Sequence, residues 1–132
     1  MPAPLLPLLA MTAALATAAD ESPLRVTEAE ICREVVQREC RGLDRTVASD
    51  VETVAFMTRV EGATGEAFVT HVWSFEGAEV RRVRLAVKAA NYRTWSMKRV
   101  KNSPGKWKAE VLDPVGRVLG SLTFVVQPPA GG

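Results

Sequence analysis

Turn-forming residues recur at short, even intervals along the chain, and that spacing constrains the fold more than any other feature of the sequence. Val51 to Val60 ends at Gly62, Ala63, Thr64 and Gly65, and Ala67 to Phe75 ends at Glu76 and Gly77. Glu79 to Lys88 stops at Ala89, Ala90 and Asn91, and Tyr92 to Val100 runs into Asn102, Ser103, Pro104 and Gly105. Lys106 to Leu112 meets Asp113, Pro114, Val115 and Gly116, and Arg117 to Gln127 stops before Pro128 and Pro129. Runs bounded every ~8–12 residues fit the short strands of an all-β sandwich or barrel. Alternation within the runs agrees. Val83, Leu85 and Val87 share one face while Arg82, Arg84 and Lys88 take the other, and Trp107, Ala109 and Val111 oppose Lys108 and Glu110. Gly120, Leu122, Phe124 and Val126 line one face of the last run.

A chain of 132 residues with 47% hydrophobic and 24% charged content has room for one globular domain. The first nineteen residues carry no charged side chain, and Leu5 to Ala19 is apolar and ends in Ala16, Thr17 and Ala18. That is the apolar region and small-residue cleavage pattern of a secretory signal peptide, although the usual basic residues before it are missing. An uncleaved membrane anchor or a core helix is the alternative. The expected organisation is a leader over 1–18, a linker over 19–25, a β-sandwich domain over 26–127 and a disordered tail over 128–132.

Val26 to Cys40 satisfies two incompatible local patterns. Thr27 and Glu30 read as a capping box, with Cys32, Val36 and Cys40 at helical spacing and Gly42 as a stop. A strand there needs a bulge at Val35 and Val36. Eight residues of strand span ~26 Å and eight of helix ~12 Å, whereas a disulfide needs Cα atoms within ~7 Å. A Cys32–Cys40 bridge therefore requires the chain to turn back between them, and both states stay open at this level.

Several aromatic, basic and turn residues occur in a characteristic order: His71, Val72, Trp73; Glu76, Gly77; Tyr92 to Lys98; Pro104 to Trp107; Val111 to Gly116; Val118 and Leu119. In this the chain resembles the bacterial domain-of-unknown-function family 2914, over roughly residues 26–127. Arg38 and Glu39 resemble an upstream element of that family, with Cys40 in place of a proline, and Tyr92 stands where tryptophan is common. The resemblance implies a β-sandwich module of exported or envelope-associated proteins, and a strand rather than a helix over Val26 to Arg38. It implies no reaction. The expected fold is thus an antiparallel, immunoglobulin-like β-sandwich of about seven strands.

Charge is unevenly placed. Residues 20–78 hold twelve acidic and six basic side chains, whereas residues 79–108 hold ten basic side chains against Glu79 alone. Interleaved with Tyr92, Trp95 and Trp107, the basic half reads as a landing surface for anionic polymers, or else as strands that pair with the acidic half and bind nothing. His71, Trp73 and Phe75 alternate onto one face, which offers a stacking site with a polar handle, a general base, or a hydrogen-bonded histidine at the core edge. Arg93, Trp95 and Met97 share one face of their run, and Tyr92, Thr94, Ser96 and Lys98 the other, a row of hydroxyls ending in an ammonium. The candidate binding residues are His71, Trp73, Arg82, Arg84, Tyr92, Arg93, Trp95, Ser96 and Lys98, while Trp107 reads as core. One histidine and two cysteines give no nucleophile, base and metal constellation, so neither enzyme nor cofactor nor metal is expected. The expected role is a non-catalytic binding or structural module of the bacterial envelope, periplasmic or extracellular. Its expected partner is an envelope protein or an anionic envelope polymer, with no nucleic acid and no membrane contact beyond an uncleaved leader. Recognition of carbohydrate or polyanion by the basic, aromatic-rich half is the second expectation.

Overall fold

The computed structural model describes residues 23–130. The expected leader and most of the linker lie outside the described residues. Within them the chain forms ten strands and no helix: β1 (Arg25–Cys32), β2 (Glu34–Val36), β3 (Glu39–Arg41), β4 (Thr46–Val47), β5 (Thr53–Glu61), β6 (Ala67–Phe75), β7 (Ala78–Val87), β8 (Asn91–Arg99), β9 (Gly105–Leu112) and β10 (Val118–Val126). The six runs read from turn spacing appear as β5 to β10. β2, β3 and β4 are short additions of three, three and two residues.

The strands form a three-stranded sheet in the order β1-β5-β8, a five-stranded sheet in the order β4-β10-β9-β6-β7, and the separate β2-β3 hairpin. All pairings are antiparallel except β4 with β10. One core joins the two sheets: Val54, Phe56 and Val60 of β5 cluster with Val69 and Trp73 of β6, Trp107, Ala109 and Val111 of β9, and Phe124 and Val126 of β10. Edge-on contacts link Phe56 to Trp73 at 6.1 Å and Trp73 to Phe124 at 6.3 Å, and Phe124 stacks on Trp107 at 6.0 Å. Each such ring, if truncated to alanine, would cost roughly 3–5 kcal/mol. Trp107 is core as its alternation indicates, 3% exposed, with Nε1 donating to Ser103 O.

One expectation is corrected here. The first strand does not run from Val26 to Arg38. It stops at Cys32, and the chain reverses through a two-residue loop, Gln37 and Arg38, between the paired Val36 and Glu39. Both loop residues have positive φ, 51° and 62°, as the hairpin turn that matches strand twist requires. The bulge of this region falls between Val26 and Glu28 rather than at Val35 and Val36. With the chain folded back, Cys32 and Cys40 form a disulfide, their Cα atoms 5.4 Å apart. β7 and β8, consecutive in the chain, are not neighbours in one sheet. Gly62 N–H donates to Ala90 O, which carries the chain to the end of β5, and β8 then pairs with β5 along its whole length. β7 is left as the edge of the five-stranded sheet.

Candidate functional site

Three constellations contain the residues singled out from the sequence, and they lie apart. The first is internal. His71 on β6 is fully buried, and β5 and β8 of the opposite sheet supply its polar partners: Thr58 Oγ1 lies 3.0 Å from Nε2 and Ser96 Oγ 2.7 Å from Nδ1. Trp73 Nε1, also fully buried, donates to Ser96 Oγ at 3.1 Å. Indole only donates and a hydroxyl has one proton, so Ser96 uses both capacities if it accepts from Trp73 and donates to His71 Nδ1. His71 Nε2–H then donates to Thr58. Burial pushes the His71 pKa down from 6.5 to about 3, so the ring is neutral and acts as a hydrogen-bonded core residue. His71, Trp73 and Ser96 therefore offer no face to a ligand at the surface. Thr94, 8% exposed, is also buried, so of the row of hydroxyls on β8 Thr94 and Ser96 face inward, while the Tyr92 hydroxyl reaches Arg38.

The second constellation lies on the outer face of the three-stranded sheet. There the disulfide-anchored hairpin covers Cys32, Ala55 and Met57, with Val35, Cys40 and Trp95 packed around them. Arg38, at the hairpin tip, sits over the rings of Tyr92 at 4.7 Å and Trp95 at 5.7 Å. It also donates to Arg93 O at 2.9 Å and Tyr92 OH at 3.2 Å. Glu28 bridges Arg59 at 3.0 Å and Arg93 at 3.4 Å, and the hydrogen bond from Arg59, then the charge of Arg93, hold its carboxyl below the usual range. Arg59 Nε donates to Asn91 Oδ1 at 2.8 Å. Tyr92, Arg93 and Trp95 thus meet around Arg38, although alternation puts Tyr92 on the opposite face of β8 from the other two; Arg38 and Arg59, which the pattern of β8 does not name, and Asn91 complete the cluster.

The third constellation is the cationic edge. The β6–β7 register puts Arg82 opposite Val72 and Arg84 opposite Thr70, on the outer face of the five-stranded sheet. Arg82 pairs with Glu79 at 2.9 Å, and Arg84 lies 3.5 Å over the Phe68 ring. Lys98 does not join them, because β8 belongs to the other sheet. Its amine sits 5.5 Å from the Trp107 ring and donates to Arg99 O, and burial followed by the charges of Arg81 and Arg99 lowers its pKa. Acidic residues of the N-terminal half do answer part of the basic half: Glu28 meets Arg93, and Glu52 meets Arg99 and Lys101 at 3.8 and 3.5 Å. Along β7, among the described residues, the only ion pair is that of Glu79 with Arg82. Arg81 was missed because alternation groups it with Val83. The bulge between Trp73 and Ser74 sets it opposite Trp73, near enough for its charge to lower the Lys98 pKa.

These features define a small all-β domain of two facing sheets with a braced hairpin and one cationic edge. Residues 66–126 match the model of the family described as Protein of unknown function (DUF2914), to which this part of the chain is similar. The matched segment holds β6 to β10, and the disulfide-bonded hairpin lies before it. No curated protein matches the sequence. Similar solved structures include a beta-glucosidase from Kluyveromyces marxianus, at 10% identity and TM-score 0.47, covering 80% of this chain and 14% of that one. Another is an endonuclease/exonuclease/phosphatase from Beutenbergia cavernae DSM 12333, at 16% identity and TM-score 0.36, covering 76% and 27%. The chain spans less than a third of the length of either.

Proposed function

We propose that this chain is a non-catalytic recognition module of an exported protein of the bacterial cell envelope, built as an immunoglobulin-like sandwich. The strand order supports the architecture: β1, β5 and β8 correspond to A, B and E, and β10, β9, β6 and β7 to G, F, C and C′. The Cys32–Cys40 bridge supports export, since such bonds persist in oxidising compartments. The observation that carries the recognition role is the imbalance at β7, where arginines are left exposed while the side chains suited to proton transfer, His71 and Ser96, are used up in the core. A leader removed after Ala18 is part of the proposal. Intact mass of protein recovered outside the cytoplasm tests it, and a full-length mass there defeats it.

A second reading, recognition of an anionic envelope polymer, is favoured by the convergence of Arg81, Lys98 and Arg99. Among the described residues only Arg99 of the three meets a carboxylate, Glu52 at 3.8 Å. Two pairs of substitutions separate the outer face from this cluster: Arg82→Gln with Arg84→Gln, and Arg81→Gln with Lys98→Gln. Retention on immobilised heparin should fall with either pair and vanish as salt rises. Salt-insensitive or absent retention of the parent, alongside capture of an envelope protein by the full chain, returns the role to protein recognition.

A further inference from the structure

We propose a second, separate site: the tip of the β2-β3 hairpin and the adjoining ends of β5 and β8 receive a single oxyanion, a carboxylate or phosphate on a small polar ligand, with Arg38 as its principal donor. The site is on the outer face of the three-stranded sheet, away from the β7 cations, so it does not depend on the polymer reading. An open groove of about 530 Å³ is lined there by Gln37, Arg38, Arg59, Asn91, Tyr92 and Arg93. That volume lies within the ~300–1,000 Å³ of small-ligand clefts.

The three guanidinium groups are not equally committed. Arg59 is bonded to Glu28 and Asn91, with Glu61 a further 3.7 Å away. Arg93 reaches Glu28 only at 3.4 and 3.5 Å, and its Nε is buried with no partner. Among the described residues Arg38 pairs with no carboxylate: its two bonds go to a carbonyl and a phenol, both neutral. A guanidinium has five donors in a fork that matches an oxyanion, so most of the capacity of Arg38 is open.

The backbone beneath it points the same way. Gln37 and Arg38 both occupy the left-handed region, φ 51° and 62°, where long side chains are uncommon and where Asn-Gly would make the same turn with less strain. Strain of this kind is retained where the side chain it presents has a use. The bridge at Cys32–Cys40 fixes the base of the hairpin, and Tyr92 and Trp95 form the bed beneath the guanidinium. A donor held in place before binding loses little freedom on binding.

The test is a titration of isotope-labelled chain with sodium glucuronate, with inorganic phosphate and with glucose at matched ionic strength, following the Nε–H signals of Arg38, Arg59, Arg82, Arg84 and Arg93. Saturable shifts at Arg38 are expected with at least one anion and none with glucose; the tighter anion identifies carboxylate or phosphate as the source. Arg38→Gln should weaken binding by about tenfold, and Arg38→Lys, which keeps the charge and loses the fork, by a similar factor. The indole signals of Trp73 and Trp107 report whether each variant keeps its core, and Arg82→Gln with Arg84→Gln should leave the affinity unchanged. No saturable response to either anion, an equal response to glucose, full affinity in a folded Arg38 variant, or shifts confined to Arg82 and Arg84 would overturn the proposal.

Discussion

His71 makes the folded state sensitive to acid. In the unfolded chain its pKa is near the ordinary 6.5, and in the folded chain burial lowers it to about 3. Between those values the unfolded chain holds a proton that the folded chain excludes. Stability is therefore complete above about 6.5 and declines as the pH falls toward 3, by up to about 1.4 kcal/mol per pH unit. Urea midpoints measured between about pH 7 and pH 5 should fall for the parent and lose that slope in His71→Gln; equal slopes would mean that the ring is not the group responsible. Ser96→Ala is expected to cost at least about 2 kcal/mol, because it strands two buried donors and acceptors, Trp73 Nε1 and His71 Nδ1. A cost below about 0.5 kcal/mol would show that these bonds are not made. The sequence had already placed His71 with Trp73, and Ser96 with Thr94, on shared faces. What alternation cannot say is that the two faces meet across the sandwich, since that depends on which sheet each strand joins.

At the scale of elements, the β2-β3 hairpin is the least legible part of the fold. Its turn, Gln37 and Arg38, contains none of the glycine or asparagine that announces the Glu76-Gly77 turn, where φ is likewise positive at 50° and 89°. Without that signal the cysteine pair looks too far apart to bridge. β5 to β10 were legible because glycine, proline and asparagine mark their ends. The order of β8 was not, because the three residues between β7 and β8 suit a hairpin as well as they suit the crossing to β5. The bridge closes a loop with a sequence separation of 8 and is expected to contribute about 2–3 kcal/mol by restricting the unfolded chain. Urea unfolding of oxidised protein against Cys32→Ser with Cys40→Ser measures it. An unchanged midpoint would mean that the hairpin is held by its packing on Met57 and Trp95 alone.

For the whole molecule, a net charge of +2 conceals an excess of nine positive charges over residues 79–108. The structure divides that excess, sending Arg93, Arg99 and Lys101 to acidic partners and leaving β7 largely unanswered. Neutralising Arg81, Arg82 and Arg84 together should lower the salt needed to elute the protein from heparin while leaving its unfolding midpoint within about 0.5 kcal/mol, since the charges are exposed. A large loss of stability would instead assign them a structural role. The two margins of the five-stranded sheet are guarded differently. One is closed by β4, too short at two residues to template another strand, whereas the other is β7, ten residues long. Free backbone along such a margin invites a second chain, and mutual repulsion of arginines is the barrier that stands against it. Solubility of this protein is then a property of its ionic surroundings. Concentrated salt, or a polyanion that masks the arginines, removes the repulsion, and two β7 margins brought together in that state would join into one continuous sheet.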